Sequence, residues 1–278
     1  MIGLGLMGRP MTRALLAAGV DARGWNRSPL PAETVAGIPL CATLEDASQA
    51  EMCLLMLSDS PATDSVLAQL EPRLRAGQLV IDMGSSDPAR SKTHAARLAT
   101  KRIGWVDAPV SGGPEGAAAG TLAIMAGGTD ADVARARPVL DVLGGNVVHV
   151  GGPGAGHTTK VINQLIVGLA IEAVAEALTL AEKSGLDPQR VQQALRGGFA
   201  DSKVLQMHGT RMIRRAYIPG GRARLQLKDL RHAVALAADA GIRLPHLESA
   251  VALYERLVAQ GDGELDHSAL HRLLWPAS

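Results

Sequence analysis

The sequence of 278 residues predicts an α/β domain followed by an all-helical domain, the two joined by a long helix. Three observations predict it. Short apolar runs alternate with helix-period patterns through the first half, as in βαβ units over a parallel sheet. A glycine-rich turn stands at the head of that alternation. Beyond the breaker-rich stretch Gly151-Gly152-Pro153-Gly154-Ala155-Gly156, the apolar spacing becomes helical almost throughout.

Taken in order, Pro10 to Ala18 reads as a helix and Asp21 to Trp25 as a short strand. Met52 to Leu57, Leu79 to Met83 and Ile103 to Asp107 are apolar runs of strand length, each followed by a polar or proline-containing loop. Leu122 to Ala126 and Val147 to Val150 complete the set. In the second half, Ile162, Leu165, Ile166, Leu169, Ala173, Ala177 and Leu180 follow the three-and-four spacing of one buried helix face. The expected domains are 1–153, binding a dinucleotide, and 154–278, helical.

Bulk composition excludes several functions. Apolar residues make up 47% and charged residues 20%, normal for a protein with a real core. Aromatics are only 2% and the net charge is +1, which argues against a nucleic-acid partner. Two cysteines, Cys41 and Cys53, fit a reducing compartment. The apolar stretch Val161 to Ala181 carries Asn163, Gln164, Glu172 and Glu176, and reads as a core helix rather than a membrane span. No export signal is evident, so the expected compartment is the cytoplasm.

Gly3-Leu4-Gly5-Leu6-Met7-Gly8 fits a dinucleotide fingerprint, with Leu6 and Met7 in the turn. The first glycine permits the turn, the second lets backbone approach a pyrophosphate, and the third allows close helix packing. The domain is therefore expected to be Rossmann-like. Such a loop should follow a buried strand, yet only Met1 and Ile2 precede it. Either the numbering begins inside that strand or the domain tolerates a stub. About 20 residues on, where an acid would select NAD, stand Asn26, Arg27 and Ser28. A guanidinium there suits a 2′-phosphate, so NADP is expected, with NAD possible.

Reducing a carbonyl needs a hydride donor, a proton donor and anchors for the substrate. Lys160 lies near the start of the long helix, where the dipole and partial burial would lower its pKa toward neutrality. Asn163 and Gln164 follow three and four residues later on the same face. Ser111, Gly112 and Gly113 follow a strand at the sheet's carboxyl edge, where such folds bind ligands. Their hydroxyl and unhindered amides suit a carboxylate. Ser85 ends another strand, and Lys228-Asp229 sits on a late helix. A non-catalytic dinucleotide-binding scaffold would need none of these groups.

Together these residues resemble the β-hydroxyacid dehydrogenase family. The matching stretches are Gly3 to Gly8, Asp82 to Ser86, Asp107 to Gly113, Gly120-Thr121-Leu122 with Gly127-Gly128, Gly154 to Gln164, and Leu227 to Leu230. The resemblance implies a cleft active site with Lys160 as the acid in reduction and Asn163 and Gln164 orienting. It implies Ser111, Gly112 and Gly113 on the substrate carboxylate, and Ser85, Lys228 and the loop after Leu57 on the nicotinamide side. It also implies a small hydroxy or oxo acid as substrate, and pairing through the helical domain into dimers or tetramers. Ala177 to Ala181, Arg196-Gly197-Gly198 and Asp266 to Leu270 carry a narrower likeness to members that reduce a hydroxylated semialdehyde. Members acting on 3-hydroxyisobutyrate share most of the motifs, whereas imine-reducing relatives usually lack the lysine. Gly84 stands where serine is usual.

Overall fold

The computed structural model describes residues 1–274, which form two compact units, one from Met1 to Lys160 and one beginning at Val161. In the first unit, α1 (Gly8–Ala17) and α2 (Leu44–Ala47) precede β1 (Met52–Leu55), α3 (Ser60–Leu70), β2 (Leu79–Asp82), α4 (Pro88–Ala99) and β3 (Gly104–Asp107). Then come β4 (Val110–Ser111), α5 (Gly113–Ala119), β5 (Leu122–Gly128), α6 (Asp130–Leu143) and β6 (Gly144–Gly151). Helix starts carry their own caps: Asp59, Asp87 and Thr129 each accept a main-chain N–H in the first turn.

The sheet is mixed, where the alternation predicts a parallel one. β1, β2 and β3 run parallel, but β5 is antiparallel to both β3 and β4, and β6 is parallel to β5. The cause is local. Ala108 to Gly113 contains a short strand and the start of a short helix rather than only a loop, and this returns the chain to the sheet in the opposite direction. The stub before the glycine loop is used. Ile2 bridges in parallel to both Leu55 and Trp25, fills the central position, and is 1% exposed. Asp21 to Trp25 contributes only isolated bridges at Gly24 and Trp25.

Alternation along the strands distributes the core over both faces. Leu79 and Ile81 of β2 pack with Met11, Leu15, Ala136 and Leu140 from α1 and α6. Val80, one residue out of phase, packs with Leu67, Leu70 and Leu98 from α3 and α4.

The second unit is helical: the rest of α7 (Ala155–Lys183), then α8 (Pro188–Leu195), α9 (Gly209–Ile213), α10 (Ala223–Asp239) and α11 (Pro245–Ala259). One sequence expectation is overturned in it. The buried face of α7 is Val161, Gly168, Ile171, Ala175 and Leu178, packed with residues such as Leu227, Leu230, Leu247 and Tyr254. Of the stripe read as buried, Leu165 and Leu169 are partly buried and pack against this core, whereas Ile162, Ile166, Ala173, Ala177 and Leu180 are exposed, Ile166 at 63% and Leu180 at 68%. Both stripes obey the helical period, and α7 is apolar nearly all round, so periodicity alone could not choose between them. By length and composition α7 is also long and apolar enough to cross a membrane, despite the polar residues that argued otherwise.

Asp266, fully buried, ties this unit together. Its oxygens accept from the amides of Gly220, Gly221 and Ser268, from the Ser268 hydroxyl and from Arg211. Burial pushes its carboxyl pKa up, but hydrogen bonding from His208, the His267 ring, Ser268 and Gly220 outweigh that and hold it well below the usual range. A depressed pKa gives stability that is present above the unfolded value and lost as pH falls through the folded one. Asp266→Asn should therefore lower the urea midpoint at pH 7, with the gap to the parent shrinking below about pH 4. Equal midpoints at neutral pH would refute this.

Candidate active site

The glycine loop is built as its spacing requires. Gly3 has φ +100°, and a side chain there would collide with the Met56 carbonyl. A Cβ on Gly8 would strike the Gly3 carbonyl, so the first turn of α1 can sit against the loop only with glycine present. At Gly5 a Cβ would meet nothing within 4 Å. Two glycines thus close the turn, and the third leaves one side of it open. That is the shape a pyrophosphate needs, so the residues fit a dinucleotide.

Neighbouring segments converge on this loop. Leu57 lies beside it, its Cδ2 3.1 Å from the position a Gly3 Cβ would take, and the Leu57 carbonyl lies 2.7 Å from the same point on Gly84. Gly84 therefore stands where a side chain would press on the Leu57 carbonyl, and Ser85 follows it. Asn26 is drawn in by its side chain: its Oδ1 accepts from the Leu4 amide at 3.0 Å and its Nδ2 donates to the Ser28 carbonyl at 2.8 Å. Asn26 thus braces the loop with its side chain, and Arg27 beside it is exposed.

Two carboxylates at the ends of β2 and β3 hold the segments beyond those strands. Asp107 is fully buried, and its oxygens accept from the Gly154 amide at 2.7 Å and the His157 amide at 2.9 Å. It therefore caps α7 from 47 residues away in sequence. A Cβ on Gly127 or Gly156 would press within 2.9 Å of its oxygens, which explains both glycines. Burial raises the Asp107 pKa, opposed by His157 and by the two amides. Asp82, also fully buried, accepts from the Gly84 amide at 3.1 Å and from the Ser86 hydroxyl at 3.1 Å. The fully buried His157 ring stands between them, 3.6 Å from Asp82 and 3.9 Å from Asp107. One buried group of three side chains thus fixes both the Ser85 loop and the head of α7. Sequence reasoning assigned none of the three a role; acids ending two successive strands were the available signal.

Lys160 is half-buried and is the sixth residue of α7, a full turn further in than a first-turn position. The macrodipole has largely faded there. Asn163 and Gln164 continue the same helix. Ser111 ends β4, paired with Ala123, and Gly112 and Gly113 follow at φ +142° and +67° into α5. In the second unit, Gln164 Nε2 donates to Gln226 at 2.9 Å and to Asp229 at 3.0 Å, and Lys228 Nζ lies 3.2 Å from the other Asp229 oxygen. Lys228-Asp229 is thus part of a polar cluster, and not merely a surface pair.

A glycine loop of this construction on a doubly covered sheet defines a dinucleotide-binding fold. The family model for the NAD binding domain of 6-phosphogluconate dehydrogenase matches residues 1–151, and that for the NAD-binding of NADP-dependent 3-hydroxyisobutyrate dehydrogenase matches 154–274. The 2-hydroxy-3-oxopropionate reductase of Escherichia coli is 41% identical over 98% of this chain and 95% of its own. The 2-(hydroxymethyl)glutarate dehydrogenase of Eubacterium barkeri is 33% identical over 97% and 92%. The structure of Mycobacterium tuberculosis 3-hydroxyisobutyrate dehydrogenase with L-serine superposes with a TM-score of 0.86 at 31% identity, covering 99% and 97%. The chain belongs to the β-hydroxyacid dehydrogenase family, NAD(P)-dependent enzymes acting on CH–OH groups.

Proposed function

We propose that this enzyme interconverts a small semialdehyde and its hydroxy acid, with 2-hydroxy-3-oxopropionate as the preferred oxo substrate. The observation that carries the choice is the 41% identity, over nearly the full length of both chains, to a reductase of that compound. The binding of L-serine, itself a small 3-hydroxy acid, by the mycobacterial relative agrees with it. The runner-up substrate is 3-hydroxyisobutyrate.

Residues 1–153 bind the dinucleotide, through Gly3, Gly5, Leu6, Met7, Gly8, Asn26, Arg27, Ser28, Leu57, Ser85 and Lys228 of the following domain. Residues 154–278 supply substrate and pairing contacts. The nicotinamide, when bound, supplies the hydride. Lys160 Nζ gives its proton to the carbonyl oxygen in reduction and takes one from the hydroxyl in oxidation. Ser111 and the amides of Gly112 and Gly113 hold the carboxylate, and Asn163 and Gln164 orient the reacting end. NADPH consumption over a panel of 2-hydroxy-, 2-methyl- and longer oxo acids tests the reading. No turnover with any of them would leave a cofactor-binding scaffold.

Arg27 makes NADP the preferred cofactor. Arg27→Asp removes the guanidinium and sets a repelling charge beside a 2′-phosphate, so the NADPH KM should rise about tenfold or more while that for NADH does not. Equal KM changes for both would remove Arg27 from the site. The enzyme works in the cytoplasm, without membrane or nucleic acid, as a homodimer or homotetramer. The exposed α7 stripe of Ile162, Ile166 and Leu180 is the pairing face. A single-chain mass by light scattering would exclude this.

A further inference from the structure

We infer that Gln226, steadied by His267, is a positioning residue that with Asp229 holds the donor–acceptor sense of the Asn163–Gln164 amide pair, and that this sense selects substrates with a hydroxyl rather than a methyl beside the reacting carbonyl. The inference rests on the reading that Asn163 and Gln164 face the substrate.

The direction of the network is set by two groups that can only accept, the main-chain carbonyl of Gln164 and the Asp229 carboxylate. Gln226, 1% exposed, donates from Nε2 to the main-chain carbonyl of Gln164 at 2.8 Å. A carbonyl can only accept, so the Gln226 amide has a single orientation. Its Oε1 then accepts from Gln164 Nε2 at 2.9 Å and faces His267 Nδ1 at 3.3 Å. His267 must therefore carry its proton on Nδ1. Gln164 Nε2 also donates to Asp229 at 3.0 Å, which leaves Gln164 Oε1 to accept from Asn163 Nδ2 at 2.9 Å. Asn163 Nδ2 is thus engaged with Gln164, which leaves its Oδ1 as the acceptor that this face offers a substrate. A 2-hydroxyl can donate to it; a 2-methyl leaves it without a donor.

The far end of the network is anchored. His267 Nε2 meets His208 Nε2 at 3.3 Å with the rings edge to face, so one proton lies between them. His208 Nδ1 faces Asp266 at 3.4 Å and Arg211 at 3.2 Å, so it is satisfied either protonated or neutral. The Nδ1–H presented to Gln226 is the same in both cases. The ligand atoms of His208, Asp266 and His267 all lie within 4.8 Å of one another, a spacing that could hold a metal ion. Asp266 already accepts from Arg211, Gly220, Gly221 and Ser268, and a cation would have to displace the guanidinium. The group is built as a hydrogen-bonded pair of rings.

The test is the ratio of kcat/KM for 2-hydroxy-3-oxopropionate to that for its 2-methyl analogue, measured with NADPH. Gln226→Leu, which leaves Asp229 alone to hold Gln164 Nε2, should lower the ratio about tenfold, the worth of one lost hydrogen bond, and His267→Phe, which removes one donor from Gln226, should lower it less. His267→Asn, whose Nδ2 can take the place of the Nδ1–H, should retain it, and cofactor Kd should stay unchanged in all three. An unchanged ratio in His267→Phe and Gln226→Leu, with a ratio that shifts in Gln164→Ala, would overturn the relay alone. No shift in Gln164→Ala either would overturn the placing of that face on the substrate. A His267→Asn protein as impaired as His267→Phe would reduce His267 to packing.

Discussion

Lys160→Ala is expected to lower kcat by about two to four orders of magnitude, the range for losing a positioned general acid. Cofactor affinity should hold, because the glycine loop is held by its own glycines, by Asn26 and by Leu57. Folding should also hold, since Lys160 is only half-buried and its stem can be shortened without opening a core. The discriminating measurement is single-turnover hydride transfer at saturating NADPH alongside a fluorescence titration of the cofactor. Undiminished transfer would remove Lys160 from the chemistry. Loss of cofactor binding in the same protein would make its role one of structure.

Asp107→Ala is expected to damage stability and turnover together. The change leaves the amides of Gly154 and His157 without their acceptor at the buried start of α7. Two charge-assisted bonds would argue for more, but the raised pKa of Asp107 shows that burying the carboxylate carries its own cost. The net loss is set at about 2 kcal/mol, read from urea unfolding. Turnover should fall about a hundredfold even in protein that is fully folded, because Lys160 rides on the helix that Asp107 anchors. Unaltered stability would refute the capping role. Normal kcat in a destabilised protein would confine Asp107 to folding.

The fold was legible wherever local chemistry decides it. Gly3, Gly5 and Gly8 announce the dinucleotide turn because each answers a separate steric demand along a few residues of chain. The strands β1, β2 and β3 show as apolar runs because they are buried on both faces. The candidate site was legible as motifs but not as mechanism. Lys160 stands out in sequence, whereas the groups that hold its helix, Asp107 and His157, look like a strand end and a stray histidine until they meet.

Local periodicity, turn chemistry and glycine spacing, all written over a few neighbouring residues, determined by themselves that this chain has an α/β dinucleotide unit, a helical unit and a lysine-bearing helix. Only tertiary structure decided which stripe of α7 turns inward, because α7 is apolar on two sides and burial depends on what α10 and α11 present to it. It alone reversed β5 against β3, through a turn whose direction no period encodes. It alone joined Asn163 to His267 through Gln164 and Gln226, since a hydrogen bond between residues 62 apart depends on distance in space and leaves no trace in spacing along the chain.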